Sequence, residues 1–179
     1  MTEHFAFAWY LVQPAAVIVT LISVYTDCRW RKIKNHVTYP AIALGLVLHT
    51  LSHGWIGLIF AATGLLVGIG LMLIPFLYGQ LGAGDVKLMG ALGSLLGGYE
   101  ILNVFLYTTI AGGILALGIA VYHKNVLKTL GKVWLLVKCL VLFRSPGAGM
   151  VLFNQSMTMP YGVAIGIGAI TFLAFGRVV

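Results

Sequence analysis

The sequence predicts an all-α polytopic membrane protein with about six transmembrane helices and one amphipathic helix on the cytoplasmic side. Its 179 residues are 60% hydrophobic and only 8% charged, with a mean hydropathy of +1.02. Soluble domains carry about 25% charged residues, so a soluble protein is excluded. The apolar residues form runs of one or two bilayer lengths, and basic clusters separate several of them. At this length we expect one integral-membrane domain over residues 1–179.

The apolar runs predict six spans, because about 20 apolar residues cross the hydrocarbon core as a helix. The chain from residue 36 to residue 84 contains no Asp, Glu, Lys or Arg and is long enough for two spans, with a turn at residues 49–55. The fourth span is short and rich in glycine. The six predicted spans cover roughly residues 5–26, 37–53, 56–78, 86–98, 101–122 and 159–176.

A basic segment, residues 124–144, separates the fifth and sixth spans. At the helical period, Lys124, Lys128, Lys132 and Lys138 fall on one side and apolar residues lie mostly opposite. This pattern favours an amphipathic helix in the headgroup layer on the cytoplasmic side. A seventh, tilted span is the alternative.

The distribution of basic residues predicts the orientation in the membrane, because Lys and Arg concentrate in cytoplasmic loops. With the N-terminus outside, only Arg177 lies on the outer side. The inner segments then hold the other basic residues: Arg29, Arg31, Lys32, Lys34, Lys87, Lys124, Lys128, Lys132, Lys138 and Arg144. We therefore expect a multi-pass protein of the inner (cytoplasmic) membrane with both termini outside.

The net charge of +7 suits anionic lipid headgroups. The expected partner is the lipid bilayer rather than a nucleic acid, because the basic residues flank spans and form no separate soluble module. Cys28 and Cys139 lie far apart and form no Cys-x-x-Cys pair. We therefore expect no metal site and no cofactor.

The sequence contains only two aspartates, Asp27 and Asp85, and the predicted topology places both at the cytoplasmic face. Taken singly, Asp85 suits a helix N-cap and Asp27 suits an ion pair with Arg29 or Arg31. Together they indicate function, because ionisable groups at membrane depth are costly. Two adjacent carboxylates share a proton, so that one serves as a base while the other polarises a carbonyl, as in aspartic proteases.

Several neighbours of the aspartates are candidates for shaping this site. Gly82 and Gly84 precede Asp85 and allow a substrate strand to approach its carboxylate closely. Lys87 is a candidate for tuning the pair or for binding a headgroup. Pro160 and Gly162 either open a helix near the site or simply begin the last span.

Three stretches resemble the type IV prepilin peptidase family, a group of Gly-x-Gly-Asp aspartic membrane proteases. They are "GAGDVKLMGALG" around Asp85, "DCRWRKIKNH" from Asp27 and "MPYGVAIGIG" at the last span. The family's Ile-Pro-Asn is here Ile-Lys-Asn, with Lys34 in place of proline. The resemblance implies that Asp27 and Asp85 are the catalytic pair and that Gly82 and Gly84 form the active-site loop.

The chain lacks the cysteine module of the larger, methylating members between Asp27 and His36, so it resembles the short TadV/CpaA-like or preflagellin-peptidase-like members. The resemblance implies an aspartic endopeptidase without N-methyltransferase activity. It would serve type IV pilus assembly or protein secretion. Its partner would be a pilin-like precursor, whose short basic leader is removed by a cut after a glycine at the cytoplasmic face. A proton-coupled or small-solute transporter and a non-catalytic pilus assembly subunit are the alternatives.

Overall fold

The computed structural model describes residues 2–77, 81–122 and 161–176. All regular secondary structure in these ranges is helical, which confirms the all-α prediction for the described residues. The five helices are α1 (Thr2–Trp30), α2 (Asn35–Leu77), α3 (Ala83–Leu96), α4 (Gly98–Tyr122) and α5 (Tyr161–Phe175). The predicted amphipathic helix 124–144 and Pro160 lie outside the described residues.

Three helices contain segments long and apolar enough to cross a membrane: Leu11–Trp30, Asn35–Leu77 and Gly98–Ile119. Helix α5 is a shorter apolar helix of 15 residues, and α3 has 14 residues. Large apolar side chains such as Ile18, Leu66 and Ile114 are more than half exposed. An apolar exterior of this kind suits contact with lipid, and these findings support a membrane protein, while the number of crossings stays a prediction.

Helix α2 consists of two arms, residues 35–53 and 55–77, joined at Gly54. Gly54 has φ 59° and ψ −134°, a backbone conformation that L-residues with side chains rarely adopt. The break falls inside the turn that the sequence predicts at residues 49–55. Just beyond it, Gly57 packs so closely that a Cβ there would overlap the His49 carbonyl oxygen.

The contacts of the two arms with α3 show that they run in opposite directions. Gly84 and Ile33 are neighbours at the start of α3, and further along Gly45 approaches Ser94, so the first arm runs parallel to α3. The second arm is antiparallel to α3. Its Gly64 meets Gly93 and its Gly68 meets Met89, with backbone against backbone.

Helix α5 completes the end of the bundle where α1 finishes. Gly162 lies against Asp27 and Gly166 against Val24, so α5 runs antiparallel to α1. Gly168 lies against Thr108, which brings α4 to another side of α5. The C-terminal end of α1 and the N-terminal ends of α2, α3 and α5 therefore meet at one end of the bundle.

The core centres on α3, whose residues from Val86 to Leu96 are all buried except Lys87. Leu88, Met89, Leu92 and Leu95 have no solvent exposure and pack with Val12, Met72 and Ile165 from three other helices. A polar group at the first turn of α3 is therefore fixed in position by the most enclosed of the five described helices.

Candidate active site

Asp27 lies in the last turn of α1 and is only 7% exposed. The sequence predicts a span that ends before Asp27, whereas the helix continues to Trp30 and contains it. The Asp27 Oδ2 accepts a hydrogen bond of 2.9 Å from the backbone N–H of Gly162. This N–H belongs to the first turn of α5, where donors have no partner within the helix and the helix dipole favours a negative charge. Asp27 therefore caps α5 across the bundle.

Asp85 lies in the first turn of α3 and is 8% exposed. Its Oδ2 accepts a 3.0 Å hydrogen bond from the Gly82 N–H, and its own N–H donates to the Gly82 carbonyl oxygen at 3.1 Å. The cap residue is Gly82, so the interpretation of Asp85 as the N-cap itself is wrong by three positions. Because glycine has no side chain to cap the helix, the carboxylate reaches back from the third helical position.

Both carboxylates line a single cleft of about 230 Å³, although they belong to helices separated in sequence by the whole of α2. This arrangement matches the prediction that they meet at one face, while their catalytic role stays a prediction. The remaining lining residues are Arg31, Lys32, Ile33, Gly82, Ala83 and Gly84. The cleft can therefore present two carboxylates and two cationic side chains, those of Arg31 and Lys32, to one ligand.

Burial raises the pKa of Asp85 to about 6. The hydrogen bond from the Gly82 N–H opposes this shift, and the negative charge of Asp27 adds to it. Asp85 precedes the predicted span 86–98 and lies at the open cleft. A carboxyl with a pKa of about 6 holds a proton in about one molecule in ten at pH 7, far more often than an ordinary aspartate does.

The sequence suggests that Gly84 lets a substrate segment approach Asp85. In the structure, the segment that lies against Gly84 is this chain's own linker at Ile33. A Cβ at Gly84 would lie 3.0 Å from the Ile33 Cβ and 3.5 Å from both the backbone nitrogen and the carbonyl oxygen of Ile33. Ile33 therefore forms one wall of the cleft, a position that sequence reasoning missed. The residue lies within the "RKIKNH" match to the family, which was the only signal for it.

The other candidate residues differ in their relation to the carboxylates. Lys87 does not line the cleft; its Nζ donates to the Asn35 Oδ1 at 3.0 Å and lies 5.1 Å from the Tyr39 ring centre. Its side chain thus faces the start of α2, away from the proposed pair. Gly162 does belong to the site, through its N–H.

His49, at the start of the turn that the sequence predicts over residues 49–55, lies at the opposite end of α3 from the cleft, where its Nε2 is 2.8 Å from the Leu95 carbonyl oxygen. Within the described ranges, no three His, Cys, Asp or Glu side chains lie close enough to hold a metal ion. The cleft itself presents two carboxyl groups, each held by a backbone N–H donor.

Comparison with known proteins assigns the chain to a family. The model of the type IV leader peptidase family matches residues 15–117, which is more than half of the chain and includes both Asp27 and Asp85. No curated protein and no solved structure gives a significant match. On the family match, the chain belongs to the type IV leader peptidase family.

Proposed function

We propose that the protein is an aspartic endopeptidase that removes the short basic leader of type IV pilin-like precursors, cutting after a glycine at the cytoplasmic membrane face. The observation that carries this proposal is that the only two aspartates of the chain line one cleft. Each is held there by a glycine N–H, Asp27 by Gly162 and Asp85 by Gly82. The family membership supports a leader peptidase.

In the proposed mechanism of peptide hydrolysis, one carboxyl group is the general base and the other is the general acid. Burial raises the pKa of Asp27, while the Gly162 N–H and the Arg31 charge oppose this shift and favour the carboxylate. We assign Asp27 as the base, which takes a proton from water as the water oxygen attacks the scissile carbonyl carbon. Protonated Asp85 donates its proton to the carbonyl oxygen of the substrate. When the tetrahedral intermediate collapses, the C–N bond breaks, the leaving amine takes the proton from Asp27, and Asp85 recovers its own.

The proposed function also includes an orientation of the protein in the membrane. With the N-terminus outside and six crossings, the end of the bundle that holds the cleft faces the cytoplasm, together with Arg29, Arg31, Lys32 and Lys34. A precursor whose apolar helix lies in the bilayer then presents its leader and scissile bond at the depth of the cleft. We propose no methylation of the product, because the segment between Asp27 and His36 is too short for a cysteine module.

The proposal is tested with the purified full-length protein in anionic lipid vesicles. The substrate is a synthetic precursor with a lysine-rich leader, a glycine and then about 20 apolar residues. The expected product, identified by mass spectrometry, begins after the glycine and stays unmethylated when S-adenosylmethionine is added. An intact precursor would contradict the proposal, whereas proton or solute flux without cleavage in the same sealed vesicles would favour a transporter.

The rate of cleavage is expected to depend on pH through Asp85. Its pKa is raised to about 6 and its protonated form is the active one, so kcat/KM falls as the pH rises through that value. The decline approaches about tenfold per pH unit at higher pH. Initial rates from about pH 5 to pH 9 at saturating lipid measure this profile. A constant kcat/KM across that range would rule out Asp85 as the proton donor.

Gly162→Ala is expected to lower kcat/KM by about 10- to 100-fold, because displacements near 1 Å in an active site have effects of this size. The new Cβ would lie 2.7 Å from the Asp27 Oδ2 and 3.0 Å from its Cβ, so the carboxylate has to move. Gly113→Ala is the matched control, since a Cβ at Gly113 meets no atom within 4 Å. Equal rates for the two variants would show that the position of Asp27 is not critical.

A further inference from the structure

We propose that Ile33 determines the preference for glycine before the scissile bond. The inference rests on the proposed function and deepens it by naming a residue that limits the size of the subsite beside the two aspartates. Ile33 lines the cleft together with Asp27, Asp85 and the Gly82–Gly84 loop. It is half-buried and packs against the hydrophobic core, so its side chain is a supported wall rather than a free surface group.

The path of the chain after α1 brings Ile33 to this position. Helix α1 ends at Trp30, and Arg31 has a φ of 51°, in the left-handed region that often ends a helix and redirects the chain. Residues 32–34 are non-helical and α2 begins at Asn35. The short linker is held at both ends, because the Lys34 Nζ lies 4.3 Å from the Trp30 ring centre and Asn35 accepts a hydrogen bond from Lys87.

The contact between Ile33 and Gly84 closes one side of the cleft. The Ile33 Cβ lies 3.0 Å from the position of a Cβ at residue 84, and its backbone nitrogen and oxygen lie 3.5 Å from it. A side chain at residue 84 would require the linker to move by a few tenths of an ångström. Gly84 and Ile33 therefore lie in close contact and both line the cleft beside Asp85.

The size of the cleft matches a substrate residue without a side chain. Its volume of about 230 Å³ is below the range of roughly 300–1,000 Å³ usual for ligand pockets. A peptide that reaches both carboxylates has to bring its backbone into this space. A Cβ on the residue before the scissile bond would then compete with Ile33 for the remaining room, whereas a glycine would not.

The test compares two synthetic precursors that differ only in the residue before the cut, glycine or alanine. Their kcat/KM values are measured with the full-length protein in anionic lipid vesicles. One methyl group in a fitted pocket changes kcat/KM by roughly 10- to 200-fold, so the wild type should prefer glycine by at least about tenfold. Ile33→Ala should lower this preference by about tenfold or more. Ile42→Ala is the control, an equal truncation of a half-buried core contact that does not line the cleft.

An unchanged glycine-to-alanine ratio in Ile33→Ala, with the glycine precursor still cleaved, would overturn the inference and leave the proposed function intact. A wild type that cleaves neither precursor would instead contradict the proposed function. If Ile33→Ala cleaves neither precursor, Ile33→Val decides, because it removes a single methyl group and retains the branched wall. A shift of its ratio towards alanine supports the inference, and an unaltered ratio overturns it.

Discussion

Asp27→Asn and Asp85→Asn are each expected to lower the rate of precursor cleavage by about 10²- to 10⁴-fold, the usual contribution of a positioned acid or base. Asparagine retains the size of aspartate and an oxygen that can accept the N–H of Gly162 or Gly82, which now bond to the carboxylates at 2.9 Å and 3.0 Å. It cannot exchange a proton with water or with the substrate. The variants should therefore remain folded and inserted while they lose activity.

Single-turnover cleavage measures the loss, and size-exclusion chromatography with a thermal unfolding curve checks the fold. Glu100→Gln is the matched control: Glu100 is a buried acid, 6% exposed, in the first turn of α4 at the far end of α3 from the cleft. Its rate per folded molecule should stay within about a factor of two of wild type, as expected for a distant site. A wild-type rate in either aspartate variant would disprove the two-carboxylate mechanism.

The double variant tests whether the two groups act as a unit. If Asp27 and Asp85 share one proton, removing the second carboxylate adds little to the loss caused by the first, as for other catalytic groups that work together. Independent roles, such as separate structural caps for α5 and α3, would instead give losses that multiply. The comparison therefore separates a catalytic pair from two capping residues that happen to line one cleft.

The sequence predicted the helical class and the turn inside α2, because hydropathy reports the apolar runs and "SHGW" interrupts one of them at Gly54. It also predicted that Asp27 and Asp85 lie at one end, since charge asymmetry fixes which ends share a face. Hydropathy did not locate the end of helix α1. A charged residue ends an apolar run, but hydrogen bonding ends a helix, and α1 stays helical through Asp27 to Trp30.

The detailed geometry of the site could not be predicted, because it depends on contacts between segments distant in sequence. The N–H of Gly162 reaches Asp27 across 135 positions, and Ile33 contacts Gly84 across a complete helical hairpin. Glycines at four-residue spacing are typical of close helix packing. The sequence has three such pairs, Gly64/Gly68, Gly93/Gly97 and Gly162/Gly166, and close contacts occur in all three. The spacing did not reveal that Gly162 meets the Asp27 carboxylate, or that Gly84 lies against Ile33.

Gly64→Ala is expected to destabilise the protein by about 3 kcal/mol or more, at the upper end of the effects of overpacking. A Cβ at Gly64 would overlap the Gly93 carbonyl oxygen, and a Cβ at Gly93 would overlap that of Gly64. Both obstacles are backbone atoms, so the methyl group cannot be accommodated by turning a side chain, and the second arm of α2 has to move away from α3. Unfolding by a denaturing detergent, followed by circular dichroism, measures the change.

Gly70→Ala on the same arm is the control, since a Cβ at Gly70 meets no atom within 4 Å and alanine favours the helix by up to about 1 kcal/mol. If the free energies of unfolding of Gly64→Ala and Gly70→Ala were similar, the backbones of α2 and α3 would not be in contact at Gly64. Gly64→Ala combined with Gly93→Ala should cost less than the sum of the single effects, because the first methyl group already separates the helices. The same separation shifts α3 and Asp85 with it, so Gly64→Ala should also lower kcat/KM under conditions where it remains folded.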